Sequence, residues 1–228
     1  MSSTSSLLLV LIPAYNEEGC IRQVVLSVAA HVPDVLVIDD GSSDNTAVEA
    51  ELGGALVLRQ DPNQGKGAAL ERGFRYALDQ GFAAVITMDA DGQHSTEDLP
   101  MFVQAFREKG ADVVVGNRMA DTTGMPWVRK QTNFFMSWLL SRVAGQVIPD
   151  SQNGYRLYSA VALGQVSTMS RGFAAESEIL LRLAKLGQRI DAVPTRTIYG
   201  EQRSKIHPVP DTFRFFRMLR RFKKEQKT

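Results

Sequence analysis

Short apolar runs alternate with amphipathic stretches through the first half of this chain. Leu7–Ile12, Asp34–Ile38, Ala55–Arg59, Ala83–Met88 and Asp112–Gly116 are bounded by turn residues and read as buried strands. Helical patterns lie between them. Glu17–Ala30 sets Ile21, Val24, Val25 and Val28 at helical spacing, and Lys66–Gln80 places Ala69, Gly73 and Ala77 on one face. Asp44–Leu52 and Asp98–Lys109 complete the alternation. Such alternation predicts an α/β fold, with a Rossmann-like, mostly parallel central sheet flanked by helices. The second half is less regular. Met136–Val147 reads as a strongly apolar helix, Ala160–Val166 and Ala175–Leu186 as helices, and Ile190–Thr197 as a late strand despite Pro194. Phe134–Leu140 reads as core first, with lipid contact as the alternative. No internal repeat, low-complexity segment or linker interrupts the pattern.

Composition adds limits. At 228 residues, with 44% apolar and 22% charged positions, the chain is long enough for one domain with a sizeable core. Cys20 is the only cysteine, which excludes an internal disulfide and a cysteine-based metal site and suits a reducing cytosol. The leading serines followed by Leu7–Ile12 lack a basic start and a long apolar core, so a strand is expected there and not an export signal. No run approaches the ~18 apolar residues of a membrane-spanning helix.

Charge is unevenly spread. Residues 203–228 hold nine Lys/Arg against Asp211 and Glu225, or +7, which leaves −6 for the rest of a chain whose net charge is +1. A basic tail on a mildly acidic body suggests a polyanionic surface as partner. At helical spacing Phe215, Phe216, Met218, Leu219 and Phe222 oppose Arg214, Arg217, Arg220, Arg221 and Lys224. A helix of this kind lies in the headgroup region of a membrane or docks on its own protein. The expected organisation is a catalytic domain over 1–206 and a basic amphipathic tail over 207–228, peripheral at the cytoplasmic membrane face, with no nucleic-acid partner.

The strongest chemical signal is Asp89-Ala90-Asp91-Gly92-Gln93-His94, directly after an apolar strand. In open α/β sheets ligands bind at the carboxyl ends of strands. Residues i and i+2 of an extended chain can point the same way, so Asp89 and Asp91, with the Gln93 amide, can hold one Mg²⁺ or Mn²⁺ against a diphosphate. Two further strands end in polar groups, Pro13-Ala14-Tyr15-Asn16-Glu17-Glu18 and Asp39-Asp40-Gly41-Ser42-Ser43-Asp44. Tyr15 can stack on a base or ribose, and an acid of the Asp39/Asp40 pair can accept from a base N–H or a ribose hydroxyl. Helix capping by Asp44 or Asn45 is the plainer reading of the same residues. Asn63-Gln64-Gly65-Lys66-Gly67 fits neither the Walker nor the dinucleotide pattern, although Lys66 can neutralise a diphosphate. His31, His94 and His207 show no metal-ligand spacing.

Taken in order, these motifs and Gly116-Asn117-Arg118 resemble the family 2 inverting glycosyltransferases, and within them the dolichol-phosphate mannosyltransferase type, from about residue 7 to about residue 206. Asp150-Ser151-Gln152-Asn153-Gly154-Tyr155-Arg156 resembles the acceptor-side motif of that branch. The resemblance implies a GT-A fold and a nucleotide-sugar donor, GDP-mannose or UDP-glucose, bound through a divalent metal. It implies that Pro13, Tyr15, Glu17 and Asp40 hold the nucleoside, with Asp39 beside them. Asp89, Ala90, Asp91, Gln93 and Lys66 would meet the metal and the donor phosphates.

A phosphate acceptor is already nucleophilic at neutral pH and needs cations, not a base. Arg118, Arg129, Lys130, Arg203 and Lys205 are the candidates, with Asp91 and Arg118 expected to be catalytic. A hydroxyl acceptor would instead need a carboxylate base, for which Glu176 is the candidate; the roles of Glu176 and Glu178 stay open. The expected function is hexose transfer from a nucleoside diphosphate to a polyprenyl phosphate. Transfer to a saccharide or lipid hydroxyl, nucleotidyl transfer and binding without catalysis are the alternatives.

Overall fold

The computed structural model describes residues 7–166, 172, 174–198 and 208–225. Seven strands among these residues form one sheet: β1 (Leu8–Ala14), β2 (Val35–Asp39), β3 (Leu56–Arg59), β4 (Ala84–Thr87), β5 (Val113–Asn117), β6 (Arg156–Ser159) and β7 (Ile190–Pro194). Their order is β3-β2-β1-β4-β6-β5-β7. All pairs are parallel except those of β6, which runs antiparallel to both β4 and β5. The expected strands are all present. The apolar pattern did not predict β6, because Arg-Leu-Tyr-Ser hides a strand buried at all four positions.

Arg156 can be buried because its donors are satisfied. The guanidinium donates to the carbonyls of Glu176 at 2.6 Å, Asn153 at 2.7 Å and Ser151 at 2.8 Å, and to Tyr158 Oη at 3.3 Å. Burial opposes the charge, but Tyr158, Glu176 and Asp150 outweigh it and keep the Arg156 pKa raised. One side chain thereby ties β6 to the segment before it and to the helix that carries Glu176.

Among the described residues eight α-helices flank the sheet: α1 (Ile21–Ala29), α2 (Thr46–Leu52), α3 (Lys66–Asp79), α4 (Leu99–Lys109), α5 (Trp127–Ala144), α6 (Ala160–Leu163), α7 (Ala174–Lys185) and α8 (Pro208–Glu225). One apolar cluster joins α1 and α4 to one sheet face, and the other joins α3, α5, α6, α7 and α8 to the opposite face. Helix α1 starts at Ile21 rather than Glu17. The chain before it is held in a turn, with Asn16 at φ 53° and the Asn16 and Glu17 amides donating to Ser42 Oγ at 3.0 Å and Thr46 Oγ1 at 2.7 Å. Helix α5 begins at Trp127, well before the apolar stretch at Met136, since its first turns are mostly exposed and carry no apolar stripe toward the core. The late strand stops at Pro194, short of Thr197.

The tail takes the docked arrangement. Phe215, Met218, Leu219 and Phe222 of α8 are buried in the same cluster as α7, so the face that would enter a membrane is used by the protein itself. Each such side chain contributes on the order of 1.5–3 kcal/mol. Glu178 of α7, nearly fully buried, accepts from Arg182 Nε at 2.9 Å and Arg221 Nη2 of α8 at 2.7 Å. Among the described residues no helix is long and apolar enough to cross a membrane.

Candidate active site

The sheet order reverses between β1 and β4, which makes their carboxyl ends a topological switch point. Because β6 is antiparallel, its lead-in Asp150–Gly154 comes to this same edge. Three segments distant in sequence therefore meet there.

Lys66 stands at the centre. Gly65, at φ 90°, turns the chain so that Lys66 opens α3. Its Nζ lies 2.5 Å from Asp89 Oδ1 and 3.2 Å from Glu176 Oε2, at the first turn of α7. His94 Nε2 lies 3.3 Å from Asp89 Oδ2, and the His94 ring packs on Tyr155 with centroids 4.9 Å apart. Gly154 forms the wall. A Cβ there would sit 2.8 and 2.9 Å from the Asp89 oxygens and 3.0 Å from Glu176 Oε1, so only glycine leaves the carboxylates their place.

Electrostatics follow from this packing. Burial alone would discharge the Lys66 ammonium, but Asp89 and Glu176 override it and raise its pKa. Burial would likewise raise Asp89, yet Lys66 and His94 hold its carboxyl well below the usual range. The site is a fixed cation between two anions at the head of a helix. Asp91 lies two residues on, its Oδ1 accepting from the Gln93 amide at 3.0 Å in its own loop. Asp91 and Gln93 are both half-buried.

The chemistry of this donor set fits a divalent ion. Among the described residues no three His, Cys, Asp or Glu side chains cluster as a metal cage. The Asp89 and Asp91 carboxylates and the Gln93 amide oxygen are hard oxygen donors of the kind that Mg²⁺ takes beside substrate phosphates and water.

Of the residues expected to hold the nucleoside, Tyr15 is 45% exposed at the end of β1, beside Pro13 and Glu17, which are half-buried. Asp39 is fully buried; its Oδ1 accepts from the Ser42 amide at 3.0 Å, and Arg59 Nε is 3.5 Å from Oδ2. Asp39 Oδ2 is a buried acceptor with no hydrogen-bond partner among the described residues. Asp40 turns away to other work. Its carboxylate accepts from Gln60 Nε2 at 2.6 Å and from the Gln64 and Gly65 amides at 2.8 and 2.7 Å, which fixes the loop that delivers Lys66. Gly41, at φ 72°, lets that loop approach; a Cβ would lie 2.8 Å from Asn63 N.

The acceptor candidates divide. Arg118 is buried in a two-pronged pair with Asp150, Nε to Oδ2 at 2.7 Å and Nη2 to Oδ1 at 3.0 Å, which anchors the lead-in to β6. Arg129 and Lys130 lie in the first turns of α5, where Lys130 Nζ donates to Thr122 Oγ1 at 3.0 Å. Arg203 and Lys205 lie outside the described residues. Glu176 joins the site through Lys66, whereas Glu178 serves α8. Gly154 carries no chemistry of its own, and its role emerges only from what surrounds it.

Comparison with known proteins bears on the family and the fold. Residues 9–167 match the sequence model described as "Glycosyl transferase family 2". The chain is 32% identical over 218 residues to the UDP-N-acetylglucosamine–dolichyl-phosphate N-acetylglucosaminyltransferase of Methanococcus voltae, covering 86% of this chain and 87% of that one. It is 34% identical over 206 residues to the undecaprenyl-phosphate mannosyltransferase of Micrococcus luteus, with 85% and 84% covered. It is 33% identical over 204 residues to the polyprenol monophosphomannose synthase of Mycolicibacterium smegmatis, with 82% and 75% covered. Among solved structures, glucosyl-3-phosphoglycerate synthase from Mycobacterium tuberculosis in complex with UDP superposes with a TM-score of 0.70 at 23% identity, covering 87% of this chain and 73% of that one. The same synthase has been crystallised with Mn²⁺ and UDP. With a mostly parallel sheet, a carboxylate-rich switch point and these relatives, the chain belongs to glycosyl transferase family 2 and is a glycosyltransferase of GT-A fold.

Proposed function

We propose that this enzyme transfers a hexose from a nucleoside-diphosphate sugar to a polyprenyl-type phosphate, with inversion and with a divalent cation. The observation that carries this reading is the Lys66–Asp89–Glu176 cluster at the head of α3, beside Asp91. The relatives named above act on dolichyl, undecaprenyl or polyprenol phosphates, which supports the acceptor class.

Tyr15 and Asp39 take the nucleoside, Asp39 through its buried Oδ2, which accepts no hydrogen bond among the described residues and has Arg59 Nε 3.5 Å away. Lys66 and the amino end of α3 meet the diphosphate, where a helix terminus and an ammonium both favour negative charge. Asp91 and Asp89, with Gln93, would hold Mg²⁺ or Mn²⁺, which when bound neutralises charge on the departing diphosphate. Glu176 keeps Lys66 aimed and charged rather than serving as a base, since its carboxylate is committed to that ammonium. A phosphate acceptor needs no base, because it is ionised at neutral pH. Arg129 and Lys130, with Arg203 and Lys205, are its proposed contacts. Arg118 acts through Asp150, by holding the acceptor-side segment.

The test is transfer to a polyprenyl phosphate with GDP-mannose and UDP-glucose supplied separately, in Mn²⁺ and in EDTA. A lipid-linked sugar from one donor, lost in EDTA, is the expected result. Slow donor hydrolysis without lipid product would move the acceptor to a hydroxyl.

A further inference from the structure

The chain has two tryptophans, and both stand on the outer face of α5. At ~100° per residue, Trp127, Val128, Gln131, Phe134, Phe135, Trp138 and Arg142 fall on one side of this helix. Asn133, Met136, Ser137, Leu140 and Ala144 fall on the other and are buried. Trp127 is 71% exposed, Val128 69%, Phe134 64%, Phe135 49% and Trp138 48%. Single exposed apolar residues need no account, but a contiguous stripe of this size does. The apolar pattern places Phe134–Leu140 in the core first; Met136, Ser137 and Leu140 are buried, whereas Phe134, Phe135 and Trp138 face outward.

The charges say what covers the stripe. The eighteen residues of α5 include Arg129, Lys130 and Arg142 and no Asp or Glu. The Arg142 guanidinium lies 5.5 Å from the Trp138 ring centroid. Helix α7 lies between α5 and α8, and on α8 the side chains of Arg214, Arg217, Arg220, Lys223 and Lys224 are exposed. Helix α5 offers no acid to pair with Arg142 or Lys130 of a second copy laid on this stripe, so like charge opposes self-association there. Aromatic rings flanked by cations without acids suit the headgroup layer of an anionic bilayer, with rings at the interface and cations on the lipid phosphates.

The inner face of α5 braces the site. The Ser151 amide donates to Ser137 Oγ at 2.8 Å, and the Ile148 amide to Ser141 Oγ at 2.9 Å, which ties α5 to the segment carrying Asp150 and Gly154. We infer that the outer face of α5 seats the enzyme in the headgroup region of an anionic membrane, with the site held beside the surface that supplies a lipid-borne phosphate. The membrane contact stands on α5 alone; its link to the acceptor rests on the function proposed above.

The tryptophans are built-in reporters. The full chain is titrated with vesicles of phosphatidylglycerol and phosphatidylcholine, with tryptophan emission and quenching by bromine-labelled acyl chains as readouts. A blue shift with quenching is expected, and the double variant Phe134→Ser/Phe135→Ser, which keeps both reporters, should weaken partition about tenfold or more. Unchanged emission across the titration would overturn the inference. So would undiminished binding by the variant, or a lipid-free dimer in sedimentation that the variant dissolves. A short-chain, water-soluble polyprenyl phosphate separates the two claims. Turnover of it by an enzyme that ignores vesicles sinks the membrane contact and keeps the function. Vesicle binding without transfer to either acceptor does the reverse.

Discussion

Lys66 Nζ lies 3.2 Å from Glu176 Oε2, joining the first residue of α3 to the first turn of α7 across more than a hundred positions of sequence. With Asp89 on its other side, this lysine is a buried cation whose charge two acids guarantee. Lys66→Met removes the charge and leaves Asp89 and Glu176 facing each other. A fall in kcat/KM of about 10²–10³-fold is expected, with partial recovery in Lys66→Arg. Steady-state kinetics check it; wild-type rates in Lys66→Met would make the contact incidental.

Gly154 should be the most sensitive position that carries no functional group. Alanine there puts a carbon within 3.0 Å of three carboxylate oxygens. Gly154→Ala is expected to lose more than about tenfold in transfer as Asp89 and Glu176 are displaced, a geometric effect of the kind that ångström-scale misplacement produces. Circular dichroism should still report a folded protein.

Glu178 locks the last helix. With Arg182 Nη2 at 2.8 Å and Arg221 Nη2 at 2.7 Å, it is buried while both arginines keep contact with water. Glu178→Ala therefore strands no fully buried charge, and a loss of about 1–3 kcal/mol is expected, or about 2–12 °C in Tm. Transfer to a soluble short-chain acceptor should be nearly unchanged, because Glu178 points to α8 and not to Lys66.

Acid should weaken the site through Asp89. Lys66 and His94, working against burial, hold this carboxyl below its unfolded value, so its contribution is complete above about pH 4 and decays as pH falls toward the folded pKa. A third of the side chain is exposed, so solvent screens the effect. Urea midpoints of wild type and Asp89→Asn should differ more at pH 7 than at pH 3.

Much of the scaffold was legible because each strand of the first half is an apolar run ending in polar residues. Asp89 and Asp91 announced themselves in that way, directly behind Ala84–Thr87. The rest depends on contacts that no local pattern encodes. β6 is masked by Arg156, which is buried only because carbonyls from three other residues converge on it. Asp39 and Asp40 look equivalent in sequence, yet Asp40 spends its oxygens on the loop of residues 60–65 while Asp39 keeps one that accepts no hydrogen bond among the described residues. Glu176 and Glu178 differ in the same way, one turned toward Lys66 and the other toward Arg221. Arg118 has the composition of a phosphate ligand but pairs with Asp150.

The most direct test of the account is Asp91→Asn beside wild type, with Mn²⁺-dependent nucleotide binding and sugar transfer to polyprenyl phosphate measured on the same preparations. Loss of both by about 10²-fold or more, with an unchanged Tm, is the result expected of a residue that holds the ion and nothing structural. Transfer within about threefold of wild type, less than a 1 kcal/mol change in barrier, would contradict the assignment of the switch-point carboxylates as the donor site.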